Sequence, residues 1–272
     1  MAEEKTEPAG KDSDSEPSSV ESNISSLFEV REDRAGLRRG IYLLPNLITT
    51  GALFSGFYAI IAAMSGALES AAIAIVVAGF LDALDGRIAR MTNTQSEFGV
   101  QYDSLSDMVA FGVSPAVLVF SWTLSDLGKI GWMIAFLYMA CAALRLARFN
   151  TRPDSSMFFG LASPMAAGVI ATMIWVWIEY VAIPTDVQIA IPVAVFIVIL
   201  ALLMVSNVRY YSPKQLQNGK EGIPFVHMLG IITLFAFAAA NPPVVLLIIG
   251  VCYAASGPIL GLLRRRNRAE AE

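Results

Sequence analysis

Four aspartates lie between residues 81 and 115, in or at the end of stretches apolar enough to cross a membrane. They are Asp82, Asp85, Asp103 and Asp107. A charged side chain at the centre of a membrane helix costs roughly 2.5–3.5 kcal/mol. Four such charges in one region therefore need something that compensates them.

The spacing of these acids predicts two facing stripes on neighbouring helices. In a helix over residues 70–90, the first two acids are three residues apart and share one face. In a second helix that starts near Gly99, the last two are four residues apart and also share a face. The polar turn at 91–98 is short, so the two helices are predicted to be antiparallel neighbours. Converging carboxylates repel each other unless divalent cations lie between them, and oxygen ligands favour Mg²⁺ or Mn²⁺ over zinc.

The residues beside the acids suit a phosphorylated ligand. Gly86, Ala89 and Gly99 remove side-chain bulk where such a ligand could approach the backbone, and Arg90 offers a fixed cation for a phosphate oxygen. The sequence supplies no Ser/His/Asp or Cys/His arrangement for covalent acyl chemistry and no Walker-type glycine-rich loop. A carboxylate cage with an arginine is equipment for phosphoryl transfer by positioning and electrostatics.

The composition predicts a membrane protein. Hydrophobic residues make up 56% of the 272 residues and charged residues 15%, against about 25% charged in soluble domains. The apolar runs predict an all-α, polytopic helix bundle with about eight transmembrane helices and a cytoplasm-facing site. Their predicted ranges are 46–66, 70–90, 99–122, 130–149, 161–183, 187–207, 225–240 and 243–263. The last two could instead form a re-entrant hairpin across 225–263.

The flanking segments differ from this membrane domain, which we place at 42–263. Residues 1–26 are acidic and poor in apolar side chains, which predicts disorder. Residues 27–41 form a basic juxtamembrane segment, either an interfacial helix or a solvated linker, and 264–272 form a basic tail. With the N-terminus inside, 18 of the 19 Lys and Arg residues fall on the inner side. The positive-inside rule then predicts an inner (plasma) membrane protein with both termini in the cytoplasm.

A protein of another class could also carry acids in apolar helices. A cation or proton transporter would use them as an ion site. Transporters often repeat such a motif in two halves, whereas this acidic motif occurs once and 160–263 holds no second copy. The sequence therefore favours an enzyme.

The acidic stretch resembles a known family signature. Its pattern, D-x2-D-G-x2-A-R-x8-G-x3-D-x3-D, matches the signature of the CDP-alcohol phosphotransferase family at all eight fixed positions. Four further stretches are similar to the branch of that family that makes phosphatidylserine, so the resemblance runs from about Tyr42 to Tyr211. They are LPNLITTGALFSGF from Leu44, ALRLARFN from Ala143, FFGLASP from Phe158 and VSNVRYYSPK from Val205.

The resemblance implies a reaction and a role for particular residues. The phosphatidyl group of CDP-diacylglycerol would pass directly to the hydroxyl of L-serine, with release of CMP and with Mg²⁺ or Mn²⁺, two ions in all, as cofactor. Asp82, Asp85, Asp103 and Asp107 would bind metal, and Asp107 would also be the general base. The implied CDP-lipid contacts are Asn46, Thr49, Gly86, Ala89, Arg90, Ser96 and Gly99. The suggested acceptor contacts are Arg145, Arg148 and Asn150.

Several alternatives stay open at this stage. The acceptor could be glycerol 3-phosphate or inositol phosphate, although a phosphorylated acceptor would want a denser basic cluster than these scattered arginines provide. The lipid could be an archaeal ether lipid. Asn46 could cap a helix beside Pro45 instead of binding nucleotide, and Arg145 and Arg148 could be ordinary cytoplasmic flanking residues. The resemblance further implies a homodimer.

Overall fold

A computed structural model describes residues 44–92, 96–151, 160–182, 185–208, 237 and 239–269, with side chains up to residue 261. Within these residues the chain is helical, without strands, and forms seven long helices. They are α1 (Leu44–Met64), α2 (Leu68–Met91), α3 (Glu97–Trp122), α4 (Lys129–Thr151), α5 (Ser163–Val181), α6 (Val187–Val205) and α7 (Pro242–Ala269). All except α2 contain a stretch long and apolar enough to span a membrane.

The predicted all-α membrane bundle is confirmed, but the count of eight helices is not. Six predicted helices correspond to α1 to α6, and the predicted helix at 243–263 corresponds to α7. The predicted helix at 225–240 lies almost entirely outside the described residues, as do the segments 1–26 and 27–41.

Helix α2 has 24 residues, about 36 Å at 1.5 Å per residue, and carries acids and arginines in its second half.

The turn between α1 and α2 is a compact reversal. Gly66 has a φ of +81°, which glycine adopts without a steric penalty. The Gly66 amide donates to Ala63 O at 3.2 Å and the Ala67 amide donates to Ala62 O at 2.9 Å. This pair of bonds is a Schellman motif, which satisfies the last carbonyls of α1 and sends α2 back beside it.

Helix α3 changes its winding just after the last acid. Residues Met108–Val113 are wound as a π-helix, and α-helix resumes at Ser114. Pro115 has no amide hydrogen, so it cannot bond the Phe111 carbonyl four residues earlier. The buried Tyr138 hydroxyl of α4 donates to that carbonyl at 3.2 Å. The proline therefore explains why the α-helical hydrogen bond to the Phe111 carbonyl is missing. Tyr138 of the neighbouring helix α4 supplies a donor for that carbonyl.

Small residues let the helices pack closely. Helix α2 packs on α5, α4 packs on α6, and α5 packs on α7. A Cβ on Gly56 of α1 would lie 2.7 Å from Ala110 Cα of α3, and one on Gly250 of α7 would lie 2.6 Å from Val169 Cγ2 of α5. Larger side chains at these two glycines would push the helices apart.

Contacts at the two ends of the bundle show how the helices alternate in direction. At one end, Thr185 Oγ1 donates to Trp122 O at 3.0 Å, and the rings of Trp122 and Trp177 meet edge to face. At the other end, the Gly160 amide donates to Val208 O at 2.9 Å, and Arg148 donates to Asn207. This second end also holds the turn between α2 and α3, and with it the four acids.

Candidate active site

The acids of α2 and α3 converge. One carboxylate oxygen from each of Asp82, Asp85 and Asp103 lies within 4.8 Å of the others. The carboxyl groups of Asp82 and Asp107 lie within hydrogen-bond reach of each other. Asp85 is buried and the other acids are partly buried. The helical spacing thus brings all four side chains to one place, with the first two on α2 and the others on α3.

The donor set fits a hard divalent cation. Carboxylates this close repel each other strongly in a region of low dielectric constant, and a cation between them reverses the sign of that interaction. All the donors are carboxylate oxygens, the ligand type of Mg²⁺ and Mn²⁺. The residues present therefore suit the metal that the sequence pattern indicated.

Helix α1 fixes one of these acids. Thr49 Oγ1 lies 2.7 Å from Asp85 Oδ2 and 3.0 Å from Pro45 O, so its single hydrogen is directed to these two acceptors. Ser106 of α3 donates to the Thr49 carbonyl at 3.2 Å. Thr49 is one of the CDP-lipid contacts that the resemblance implies, and in this structure its hydroxyl holds the Asp85 carboxylate. The three helices α1, α2 and α3 are joined here through buried polar groups.

The start of α3 brings together three residues that the sequence assigned to the CDP-lipid. Ser96 is the N-cap of α3, and its hydroxyl accepts a hydrogen bond from the Gly99 amide at 3.0 Å. A Cβ on Gly99 would lie 3.1 Å from Ser96 Oγ and 3.5 Å from Asn46 Oδ1. Asn46 lies inside α1, with helical residues on both sides, so it is not a helix cap. The cap also explains why α3 starts at Glu97 rather than near Gly99.

The other predicted CDP-lipid residues lie along the end of α2. Arg90 is exposed, and its Nε donates to Gly86 O at 2.8 Å. Among the described residues, a Cβ on Gly86 would come within 4 Å only of Arg90 Nη2, at 3.9 Å. The described part of the chain therefore leaves room beside the Gly86 backbone, and Ala89 lies on the same helix between Gly86 and Arg90.

The three suggested acceptor residues have different surroundings. Arg145 of α4 interacts electrostatically with Asp107 and donates through Nη1 to Ser163 Oγ of α5 at 3.1 Å. Arg148 donates through Nη2 to Asn207 Oδ1 at 2.7 Å, and Asn150 Oδ1 accepts from Ser104 Oγ at 3.1 Å. All three residues join helices through their polar atoms, and Arg145 also interacts electrostatically with an acid of the cluster.

Sequence reasoning gave no role to several side chains around the site. Tyr102 OH lies 2.9 Å from Thr50 Oγ1, and its ring stacks on Phe98 with centroids 5.9 Å apart. Tyr253 of α7 is close enough to Arg145 to interact with it electrostatically. The spacing of Phe98 and Tyr102 is i, i+4 and could have been seen, but Tyr253 is more than a hundred residues from Arg145 in sequence.

Clustered acids at one end of a bundle of membrane-spanning helices define an integral membrane protein with a polar active centre or ion site. Comparison with known proteins decides between these. The family model of CDP-alcohol phosphatidyltransferases matches residues 42–255, and the chain belongs to that family. The match extends past Tyr211, where the resemblance seen in the sequence ended, to the part of α7 that packs on α5. Family membership favours the enzyme over the ion transporter.

Individual relatives share both the family and an acceptor. The chain is 37% identical over 180 residues to a CDP-diacylglycerol–serine O-phosphatidyltransferase of Helicobacter pylori, covering 65% of this chain and 75% of that protein. It is 37% identical over 124 residues to the Bacillus subtilis protein of the same name, covering 45% and 70%. It is 33% identical over 170 residues to an archaetidylserine synthase of Methanothermobacter thermautotrophicus, covering 61% and 69%. The names of these relatives agree on serine and differ in the lipid.

Proposed function

We propose that this protein transfers the phosphatidyl group of CDP-diacylglycerol to the hydroxyl of L-serine and releases CMP. The observation that carries the proposal is the convergence of Asp82, Asp85 and Asp103 beside Asp107, in a chain that belongs to the CDP-alcohol phosphatidyltransferase family. Relatives named for serine transfer support serine over glycerol 3-phosphate and inositol phosphate.

Asp82, Asp85, Asp103 and Asp107 would hold the metal, which we propose to be two Mg²⁺ or Mn²⁺ ions. Bound there, these ions would supply positive charge for the pyrophosphate of the donor and for the developing charge on the leaving phosphate. Thr49 keeps the Asp85 carboxylate in place through its 2.7 Å hydrogen bond. This hydrogen bond from α1 orients the Asp85 carboxylate as a metal ligand, a side chain that α2 alone would hold less firmly.

We propose that Asp107 takes the proton of the serine hydroxyl at a carboxylate oxygen. The hydroxyl oxygen then forms a bond to the lipid-side phosphorus, and the bond from that phosphorus to the CMP oxygen breaks. No covalent enzyme intermediate is needed. Asp107 interacts electrostatically with Arg145, which supports placing the acceptor near this base.

The substrates would enter from opposite sides of the acids. On the side of α1, α2 and the start of α3, the CDP-lipid would be bound by the residues that the family resemblance implies: Asn46, Thr49, Gly86, Ala89, Arg90, Ser96 and Gly99. Thr49 would act there through Asp85, and the open backbone at Gly86 gives room for the ligand. On the α4 side, Arg145 would bind the acceptor. Arg148 and Asn150 would shape that side from the contacts they make with Asn207 and Ser104.

The orientation and assembly belong to the proposal as well. The placement of 18 of the 19 Lys and Arg residues on one side supports an inner membrane protein with both termini in the cytoplasm and its acids near the cytoplasmic face. Nucleotide substrates and divalent cations are available on that side. We further propose a homodimer, by analogy with the family.

The test is a CMP-release assay with purified protein and Mn²⁺. CDP-diacylglycerol is offered with L-serine, glycerol 3-phosphate, inositol phosphate or no acceptor, and the ether-lipid analogue of the donor is offered with L-serine. We expect release that depends on serine and on the divalent ion. Release that depends on another acceptor would move the protein to a sister activity, and no release with any acceptor would contradict the proposal.

A further inference from the structure

A residue at the start of α5 accepts a hydrogen bond from one nitrogen of the Arg145 guanidinium group. Its Nη1 donates to Ser163 Oγ at 3.1 Å. Ser163 is the first residue of α5 and is fully buried. A buried hydroxyl at a helix start cannot move far, so the contact restrains the guanidinium group at Nη1.

This contact leaves one edge of the arginine for a ligand. A guanidinium group offers planar, paired donors, and Nε with Nη2 forms the side-on pair. Nε is buried and has no hydrogen-bond partner within the described part of the chain. A buried donor without a partner is costly, and a carboxylate that bridges Nε and Nη2 would remove this cost through two parallel bonds.

The surroundings of that edge suit an acceptor that carries an acid group. Arg145 interacts electrostatically with Asp107, the proposed base, and with Tyr253 of α7. A small acceptor that carries both a carboxylate and a hydroxyl would let the arginine and the base act on one molecule. One planar cation fits a planar monoanion, whereas a phosphate dianion would call for further cations.

We propose that Ser163 is a positioning residue that holds Arg145 so that its Nε–Nη2 edge binds the carboxylate of an amino-acid acceptor. The inference rests on the proposed function and adds to it the chemical group that the enzyme reads on the acceptor. Ser163 does not touch the substrate; it acts through the angle at which Arg145 presents its donors.

A comparison of two acceptor substrates distinguishes the positioning role of Ser163 from a general role in stability. L-Serine carries the carboxylate, and L-serinamide has the same hydroxyl but a neutral amide in its place. We expect the wild-type protein to use serinamide at least tenfold less efficiently, because hydrogen bonds between two charged groups are stronger than those to a neutral amide. We expect Ser163→Ala to raise the KM for serine about tenfold. Its kcat, its KM for CDP-diacylglycerol and its rate with serinamide should stay close to wild type.

Three further variants complete the experiment. Ser163→Thr retains the hydroxyl and should retain a low KM for serine. Arg145→Lys retains the charge but loses the planar pair, and it should abolish the preference for serine over serinamide. Thr172→Val is the matched control, because Thr172 is buried in the same helix and its hydroxyl donates only to carbonyls of that helix, Gly168 O at 2.7 Å and Val169 O at 3.3 Å. It should leave the KM for serine unchanged.

The outcomes that overturn the inference differ from failure of the proposed function. Equal use of serine and serinamide by the wild type would overturn it, as would a Ser163→Ala variant that loses both acceptors equally or neither. If Ser163→Ala does not fold, an undiminished serine preference in Arg145→Lys would overturn it. A wild type that releases no CMP with serine would contradict the proposed function itself.

Discussion

The polar contacts at the two ends of this helix bundle hold different groups. At the site end, side-chain hydrogen bonds position the acids and their neighbours, as in Thr49 to Asp85 at 2.7 Å and Ser104 to Asn150 at 3.1 Å. At the opposite end, they join turns and helix ends, as in Thr185 to Trp122 O at 3.0 Å and Tyr180 to Asn241 at 2.6 Å. Directional contacts occur at both ends, but among the described residues only those of the site end reach the clustered acids.

This difference has a physical reason. Four acids cannot be packed against apolar side chains, so the helices around them cannot be held by burial alone. Hydrogen bonds fix side chains in direction as well as in distance, and they leave room between the helices for charged ligands. At the opposite end, hydrogen bonds and close backbone packing join the helices, and the described residues there form no acid cluster around which a ligand would have to fit.

The largest expected effect is a difference in CMP-release rate between two variants, one at an acid of the site and one at an acid of the opposite end. Asp107→Asn keeps the shape of the side chain but removes the base, so we expect CMP release to fall about 10²–10⁴-fold. Asp126→Asn changes an exposed acid in the turn before α4 and should leave the rate unchanged. CMP release and the unfolding temperature in detergent would be measured for both variants. A fully active Asp107→Asn protein would remove the role of Asp107 as base.

A second pair of variants compares close backbone contacts at the two ends. A Cβ on Gly131 would collide with the Leu124 carbonyl at the opposite end, and a Cβ on Gly160 would collide with the Met204 carbonyl at the site end. Gly160 also has a φ of +78°. We expect each change to alanine to lower stability by about 1–3 kcal/mol, as measured by thermal unfolding in detergent.

The kinetics of these two variants should differ. The backbone at Gly160 and Leu161 is bonded to Val208 and Leu203 and leads directly into Ser163. Gly160→Ala should therefore raise the KM for serine in the folded protein, while Gly131→Ala should not. If both variants showed the same KM for serine as the wild type, the connection between the Gly160 turn and the acceptor side would be refuted.

The sequence predicted the parts of the site that depend on local spacing. The i, i+3 and i, i+4 intervals of the acids placed Asp82 with Asp85 and Asp103 with Asp107, and the short turn made the two helices neighbours. The apolar runs predicted most helices within a few residues. These features follow from helix geometry alone.

The sequence could not predict contacts between residues far apart in the chain. The Ser163 hydroxyl meets Arg145 only because the fold brings the start of α5 to α4, and Thr49 meets Asp85 across 36 residues. The π-helical turn after Asp107 depends on a partner for the Phe111 carbonyl that comes from α4. Arg145 and Arg148 looked alike as basic residues near a membrane surface, and only tertiary contacts separate them.

The smallest expected effect compares two helix caps, one at each end of the bundle. Ser96 Oγ accepts from the Gly99 amide at 3.0 Å at the site end, and Asp186 Oδ1 accepts from the Ile189 amide at 3.1 Å at the other. Loss of either cap by mutation to alanine should cost about 1 kcal/mol of stability. If Ser96 also contacts a phosphate of the donor, Ser96→Ala should raise the KM for CDP-diacylglycerol about 2–10-fold, whereas Asp186→Ala should leave it unchanged. Equal KM values in the two variants would restrict Ser96 to its capping role, and the phosphate would then have to be held by Arg90 and the metal-binding acids.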